Sequence, residues 1–255
     1  KKSFTFFIWS EYEKTVFNKY SDYKCHFKLV GSYRQSISEY YPSNLVGLKD
    51  NKFDICMLST VFGLGNYDIP RALYGKKVVD DEWNIMNEMI AKYLKRYVEE
   101  KNKSIIVALR GNSDFEINMY ETIFKGAKNV FLMPRGLGRP ASNSKKYFNT
   151  YSAVKQSAVI ISLASSLTHE ALCYDKKVLQ VDYSLGKQYF VNYVEGLWQL
   201  TENTYEALSN RLTKIFELDI NVYNNLIKEY KNYMMRFNMS EPTHLQIQKE
   251  INKNI

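Results

Sequence analysis

Cysteine is scarce in this 255-residue chain: Cys25, Cys56 and Cys173 lie far apart, odd in number and without a CxxC pair. That spacing excludes a disulfide framework and a zinc ribbon, and the two cysteines in apolar contexts, Cys56 and Cys173, read as core residues. Five prolines and eleven glycines are too few for long disordered tracts. No apolar run approaches the length of a membrane-spanning helix, and no signal peptide is visible, so a reducing, cytoplasmic setting is expected. The sequence also lacks an Asp-x-Asp metal motif, a Gly-x-Ser-x-Gly elbow, internal repeats and low-complexity segments.

What remains is a soluble globular composition, 45% hydrophobic and 24% charged, with room for one large domain or two small ones. The net charge of +8 is spread along the chain and carried mostly by lysine. It suits phosphorylated small molecules or an anionic membrane surface. No RNA- or DNA-binding signature accompanies it, so nucleic acid is not the expected partner. The chain opens on Lys-Lys without an initiator Met, as expected of a processed chain or a piece of a longer one.

The centre of the sequence is SAVIISLASSLTHEAL (157–172), followed by KVLQVD (177–182). The run 158–163 lacks helical spacing and reads as a strand buried on both faces. Small hydroxyl residues break it, helix formers resume at Thr168, and a second apolar run follows at 178–181. Strand, turn, helix and strand make a βαβ unit. Its turn lies at the carboxyl end of a strand, where open parallel sheets bind ligands. Free amides at a helix start favour an anion such as phosphate, although Ser and Thr also cap helices whatever the function. Glu170, on the first helical turn, is placed to accept hydrogen bonds from sugar hydroxyls.

Further strands are expected at 4–9, 26–30, 52–58, 104–109 and 129–133, with helices at 11–19, 81–101, 115–124 and 149–156. Trp83, Met86, Met89 or Ile90, Tyr93 or Leu94, and Tyr97 form the clearest helical stripe, which is packing. Residues 36–44 read as a connector and 183–196 as loop with a short helix. Amphipathic helices are expected at 201–217 and 222–237, the second presenting Val222, Leu226, Tyr230, Met234 and Phe237 on one face. A last helix starts at Pro242. These tail helices would pack on a neighbouring domain, and Lys228, Lys231 and Arg236 also leave membrane contact open. Strands alternating with helices indicate an α/β fold with a parallel sheet.

Two glycine-bearing loops follow expected strands. Gly63 and Gly65 could bring backbone amides near a phosphate, or simply form a turn. Arg110, Arg135 and Arg139 each follow a strand, so all three could face one cleft or stay solvated. His169 could carry a proton or be structural. His26 and His244 have no matching partners in the sequence.

The stretch SAVIISLASSLTHEALCYDKKVL (157–179) resembles the donor-binding segment of GT-B-fold glycosyltransferases, most nearly those of bacterial surface polysaccharide assembly. WSEY (9–12) with KLVGSYR (28–34) resembles the end of their first domain, and DICMLS (54–59) the opening strand of the second. The resemblance implies a Rossmann-like parallel sheet flanked by helices, like the GT-B C-terminal domain, with a C-terminal helical tail. It implies a first-domain remnant and crossover over 1–48, a nucleotide-sugar-binding domain over 49–200, and the tail over 201–255. The implied activity is metal-independent sugar transfer from a nucleotide-sugar to a glycan or lipid-linked acceptor, in lipopolysaccharide or capsule synthesis at the cytoplasmic face of the inner membrane. No cofactor is implied beyond that donor substrate. Ser165, Ser166 and Thr168 would hold phosphate, Glu170 the ribose, and the arginines and Gly63 and Gly65 would complete the donor site. Many relatives carry His-Pro after the strand that here ends at Arg110, so Arg110 would supply that contact. The alternatives are a nucleotide-sugar 2-epimerase of the same fold, or a non-catalytic binding module derived from it.

Overall fold

Parallel strands covered on both faces must be apolar at odd and even positions alike, and the central strands here are. In the computed structural model, which describes residues 5–20, 25–38, 53–61, 80–111, 113–133, 149–163, 165–183, 196–236 and 240–253, strand β3 (Phe53–Leu58) is flanked by β4 (Ile105–Ala108) and β6 (Ser157–Ser162). Strands β5 (Val130–Met133), β7 (Lys177–Val181) and β8 (Gln199–Leu200) complete a six-stranded, all-parallel sheet of order β5-β4-β3-β6-β7-β8. Cys56 lies opposite Ile106 on one side and Ile160 on the other.

The side-chain period of two sorts these strands into two cores. Ile55, Met57, Ile105, Val107, Val159 and Ile161 pack against helices α3 (Asp80–Glu100), α4 (Asp114–Ile123) and α7 (Tyr205–Glu217). Cys56, Leu58, Ile106, Ala108, Ile160 and Val178 face α5 (Asn149–Lys155), α6 (Ser166–Ala171), α8 (Ile220–Leu226) and α9 (Lys228–Met234). Each of the larger side chains, Val, Leu, Ile and Met, contributes on the order of 1.5–3 kcal/mol by leaving water. Of the alternatives along α3, Ile90 and Leu94 are the fully buried members, while Met89 and Tyr93 are partly covered.

A smaller unit precedes the sheet: parallel strands β1 (Thr5–Ile8) and β2 (His26–Leu29) joined by α1 (Glu11–Tyr20), then α2 (Tyr33–Ser38). Helix α1 is capped by Ser10, whose Oγ accepts from Glu13 N–H at 3.1 Å, while Glu13 reaches back to accept from Trp9 N–H at 2.6 Å. Ser32 Oγ accepts from Gln35 N–H at 3.2 Å and starts α2, whose last residues, 36–38, fall in the stretch the sequence suggested as a connector.

The tail differs from its expected form. The helix expected over 222–237 is two, α8 and α9, meeting at Ile227, whose backbone (φ −96°, ψ 3°) leaves the helical region. The buried ridge is Tyr223, Ile227, Tyr230 and Met234, while Val222 and Leu226 face outward. The Tyr223 hydroxyl accepts from Val178 N–H at 2.9 Å and donates to Val178 O at 3.1 Å, which fixes that rotation. Past α9 the chain returns to the small unit. Arg236 N–H donates to Trp9 O, Arg236 Nη1 to Leu29 O, and Thr243 Oγ1 to Val30 O at 2.8 Å. Helix α10 (Thr243–Asn252) then packs on α2, where His244 Nδ1 lies 2.9 Å from Ser36 Oγ. Among the described residues no helix is long and apolar enough to cross a membrane.

Candidate functional site

Successive strands β3, β4 and β5 run outward one way, and the chain then returns beside β3 to lay down β6, β7 and β8 the other way. The order is that of a doubly wound sheet, and its connections part company at the carboxyl ends of β3 and β6. A cleft of about 240 Å3 opens there, floored by Leu58, Ser59, Ala108 and Leu109.

Its β4 wall is shaped by a buried carboxylate. Ser113 Oγ accepts from Glu116 N–H at 3.2 Å, and Glu116 folds back to accept from the backbone N–H groups of Arg110 and Gly111, each at 2.8 Å. The Ser59 hydroxyl donates to the same carboxylate. This closed network ties the ends of β3 and β4 together and leaves Arg110 exposed on the cleft wall, its Nη1 donating to Thr60 O at 3.3 Å.

The β6 wall is the hydroxyl-rich turn. Ser165 Oγ accepts from Leu167 N–H at 3.3 Å, Ser165 N–H donates to Ser162 Oγ at 3.4 Å, and Thr168 N–H donates to Ser165 O at 3.0 Å. Most amides of the turn are thus engaged within it, and α6 is only six residues long. Ser165 and Ser166 border the cleft, Ser166 exposed and Ser165 half-buried. Thr168 is fully buried and its hydroxyl is bonded to Ser162.

Glu170 lies one turn beyond Ser166 on the same helical face and borders the cleft at 1% exposure. Hydroxyls of Tyr151, on α5, and of Ser32, in the small unit, donate to its carboxylate. Burial pushes its pKa up to about 7, opposed by those two hydrogen bonds and by the positive charge of Arg34. His169 points elsewhere. Its Nε2 lies 3.1 Å from Gln180 Nε2, and the Tyr230 hydroxyl donates to Gln180 Oε1 at 3.0 Å. An amide nitrogen is a donor, so the imidazole accepts there, and burial lowers its pKa to about 4.

The cleft therefore gathers Arg110, Ser165, Ser166 and Glu170 among the residues singled out from sequence. Thr168 lies behind it, and His169 faces the packing of α9 on β7. Gly63, Gly65, Arg135 and Arg139 lie outside the described residues. Four contributors escaped the sequence reading: Glu116, Tyr151, Ser32 and Arg34. The Ser113-x-x-Glu116 spacing was a legible capping box, whereas nothing in the sequence ties Tyr151 to Glu170.

No family model and no curated protein matches the chain. Solved structures do resemble it. The UDP-GlcNAc 2-epimerase of Methanocaldococcus jannaschii, in complex with UDP-GlcNAc and UDP, aligns at a TM-score of 0.57 and 11% identity, over 99% of this chain and 61% of that one. MnaA of S. aureus, with UDP, aligns at 0.56 and 12% identity, over 97% and 58%. The UDP-GlcNAc 2-epimerase of Neisseria meningitidis, bound to UDP-GlcNAc, aligns at 0.51 and 12%, over 95% and 59%. The chain has their fold, a Rossmann-like α/β sheet of GT-B type. It spans about three-fifths of the length of these structures.

Proposed function

We propose that this chain is the donor-binding portion of a GT-B glycosyltransferase that moves a sugar from a nucleotide-sugar to a glycan or lipid-linked acceptor. The observation carrying the reading is the meeting of Arg110, the Ser165 and Ser166 hydroxyls, and Glu170 in one cleft at the strand-order switch. That the M. jannaschii and N. meningitidis epimerases of the same fold hold UDP-GlcNAc supports a nucleotide-sugar as the ligand. As the sugar departs, negative charge grows on the nucleotide's phosphate oxygens. A guanidinium and serine hydroxyls held in place before the reaction lower that barrier. Glu170, its carboxylate already fixed by Tyr151 and Ser32, accepts from the ribose hydroxyls. Surface-glycan synthesis at the cytoplasmic face of a membrane is the setting we propose, on the resemblance of residues 157–179.

The test is a thermal shift with a panel of nucleoside diphosphates and nucleotide-sugars. One of them raises the melting temperature of the native chain, and Glu170→Ala abolishes the shift. No shift with any of them at millimolar concentration sinks the reading.

A second reading, nucleotide-sugar 2-epimerase, is favoured by a carboxyl group that exchanges its proton near neutrality beside the cleft. Incubating the complete enzyme with a nucleotide-sugar and no acceptor separates the two. Appearance of the 2-epimer selects the epimerase.

A further inference from the structure

Arginine in the first turn of a short helix is ordinarily a solvated residue, but the position of Arg34 is built from three sides. Gly31 turns the chain at φ +87°, pressed so closely on Arg236 O that an added Cβ would meet it at 2.3 Å. Ser32, fully buried, caps α2 and bonds Glu170 across the boundary between the units. Ser36, one turn further on, meets His244. The small unit is thereby fixed against the sheet, and its Arg34 becomes part of the cleft wall.

The Arg34 side chain is exposed, and among the described residues no hydrogen bond or ion pair engages its guanidinium. Its charge acts on the two groups facing it, Glu170 of α6 and Tyr151 of α5. Glu170 already takes hydroxyl donors from Tyr151 and Ser32, so it satisfies Arg34 only at a distance. Arg110 lines the same cleft from the end of β4. Two arginines from separate units line one cleft together with Ser165 and Ser166, and such a set forms a receptor for an anion carrying several oxygens and more than one negative charge.

We propose that Arg34 is a binding residue for the diphosphate of the ligand, so that the ligand's charge bridges the small unit and the sheet. The proposal rests on the donor-binding reading and adds a contact from the other unit. A planar, forked cation matches phosphate oxygens in pairs, which a lysine at the same place cannot do.

Titration calorimetry on the native chain, Arg34→Gln and Arg34→Lys tests it. The probes are the nucleoside diphosphate selected by the thermal panel and the corresponding nucleoside, read by competition. Arg34→Gln weakens the diphosphate by about tenfold or more and leaves the nucleoside within about twofold, while Arg34→Lys recovers part of the loss. Equal diphosphate affinity in the native chain and Arg34→Gln overturns the proposal and leaves the donor-binding reading standing. Equal losses for diphosphate and nucleoside also overturn it, since they report a distorted cleft. If the native chain binds no diphosphate, the donor-binding reading fails and takes this one with it. The unliganded melting temperature of each variant, expected within about 2 °C of the native value because the side chain is exposed and makes no hydrogen bond or ion pair among the described residues, checks the fold.

Discussion

Replacing Glu170 by Gln makes the stability of the chain respond differently to pH, and the sign follows from the surroundings of that carboxyl. Its pKa rises from an ordinary 4.5 to about 7 on folding, chiefly because it is buried. Between those values the folded chain holds a proton that the unfolded chain has released. Stability from this group is therefore complete below pH 4.5, falls as pH rises through the window, and levels off above about 7. A shift of this size amounts to roughly 3 kcal/mol. In a chain of this length that is on the order of 5–10 °C in melting temperature. Glutamine keeps the shape and can still accept from Tyr151 without titrating. Melting curves of native chain and variant across pH 4.5 to 8 should show the variant gaining on the native chain as pH rises. Subtracting the two removes the contribution of every other group. Tyr151→Phe, which deletes a donor to the anion, should move the transition to higher pH. A difference that is flat, or that shrinks with rising pH, refutes the assignment of Glu170 as a buried, proton-holding carboxyl.

Other substitutions probe the frame of the cleft. Gly31→Ala combines a left-handed backbone with a clash against Arg236 O, and should destabilise by about 2 kcal/mol or more in denaturant titration. Glu116→Ala strips a buried acceptor from Ser59 and two backbone amides, and should destabilise by about 2–4 kcal/mol while weakening nucleotide binding through the loop that carries Arg110. Tyr223→Phe removes a hydroxyl that both donates and accepts, at about 1–2 kcal/mol, without changing nucleotide affinity measured by calorimetry. His169→Asn should lower the melting temperature yet leave nucleotide affinity within about twofold, since the imidazole faces Gln180 rather than the cleft.

The sheet was legible because its strands are continuous apolar runs punctuated by small residues, and the strand, turn and helix of residues 157–171 stand where periodicity placed them. The face of α8 was misjudged for an identifiable reason. Val222 and Leu226 fit a helical stripe as well as Tyr223 and Ile227 do, and the pair of hydrogen bonds between the Tyr223 hydroxyl and the backbone of Val178, 45 residues away, decides between them. Strand β8 has two residues, too few to carry a pattern. In the cleft, residues following strands could be found from sequence alone. Tyr151, which reaches Glu170 from α5, could not, and although Ser32 and Arg34 also follow an expected strand, nothing in the sequence shows that the end of β2 meets the cleft and Glu170. The amides of Ser165, Leu167 and Thr168, which the sequence offered to an anion, are bonded within the turn itself.

The clasp between residues 29–36 and residues 236–246 joins stretches about two hundred positions apart. A polypeptide emerging from the ribosome in order would finish its parallel sheet well before that clasp has both halves. Until then Ser32 and Arg34 are held only through the side of the small unit that meets Glu170 and Tyr151, without the bonds from Arg236 and Thr243 to the backbone of residues 9, 29 and 30. Contacts over such a span form late, so full rigidity of the small unit against the sheet should trail sheet formation during synthesis, gained when α10 docks on α2.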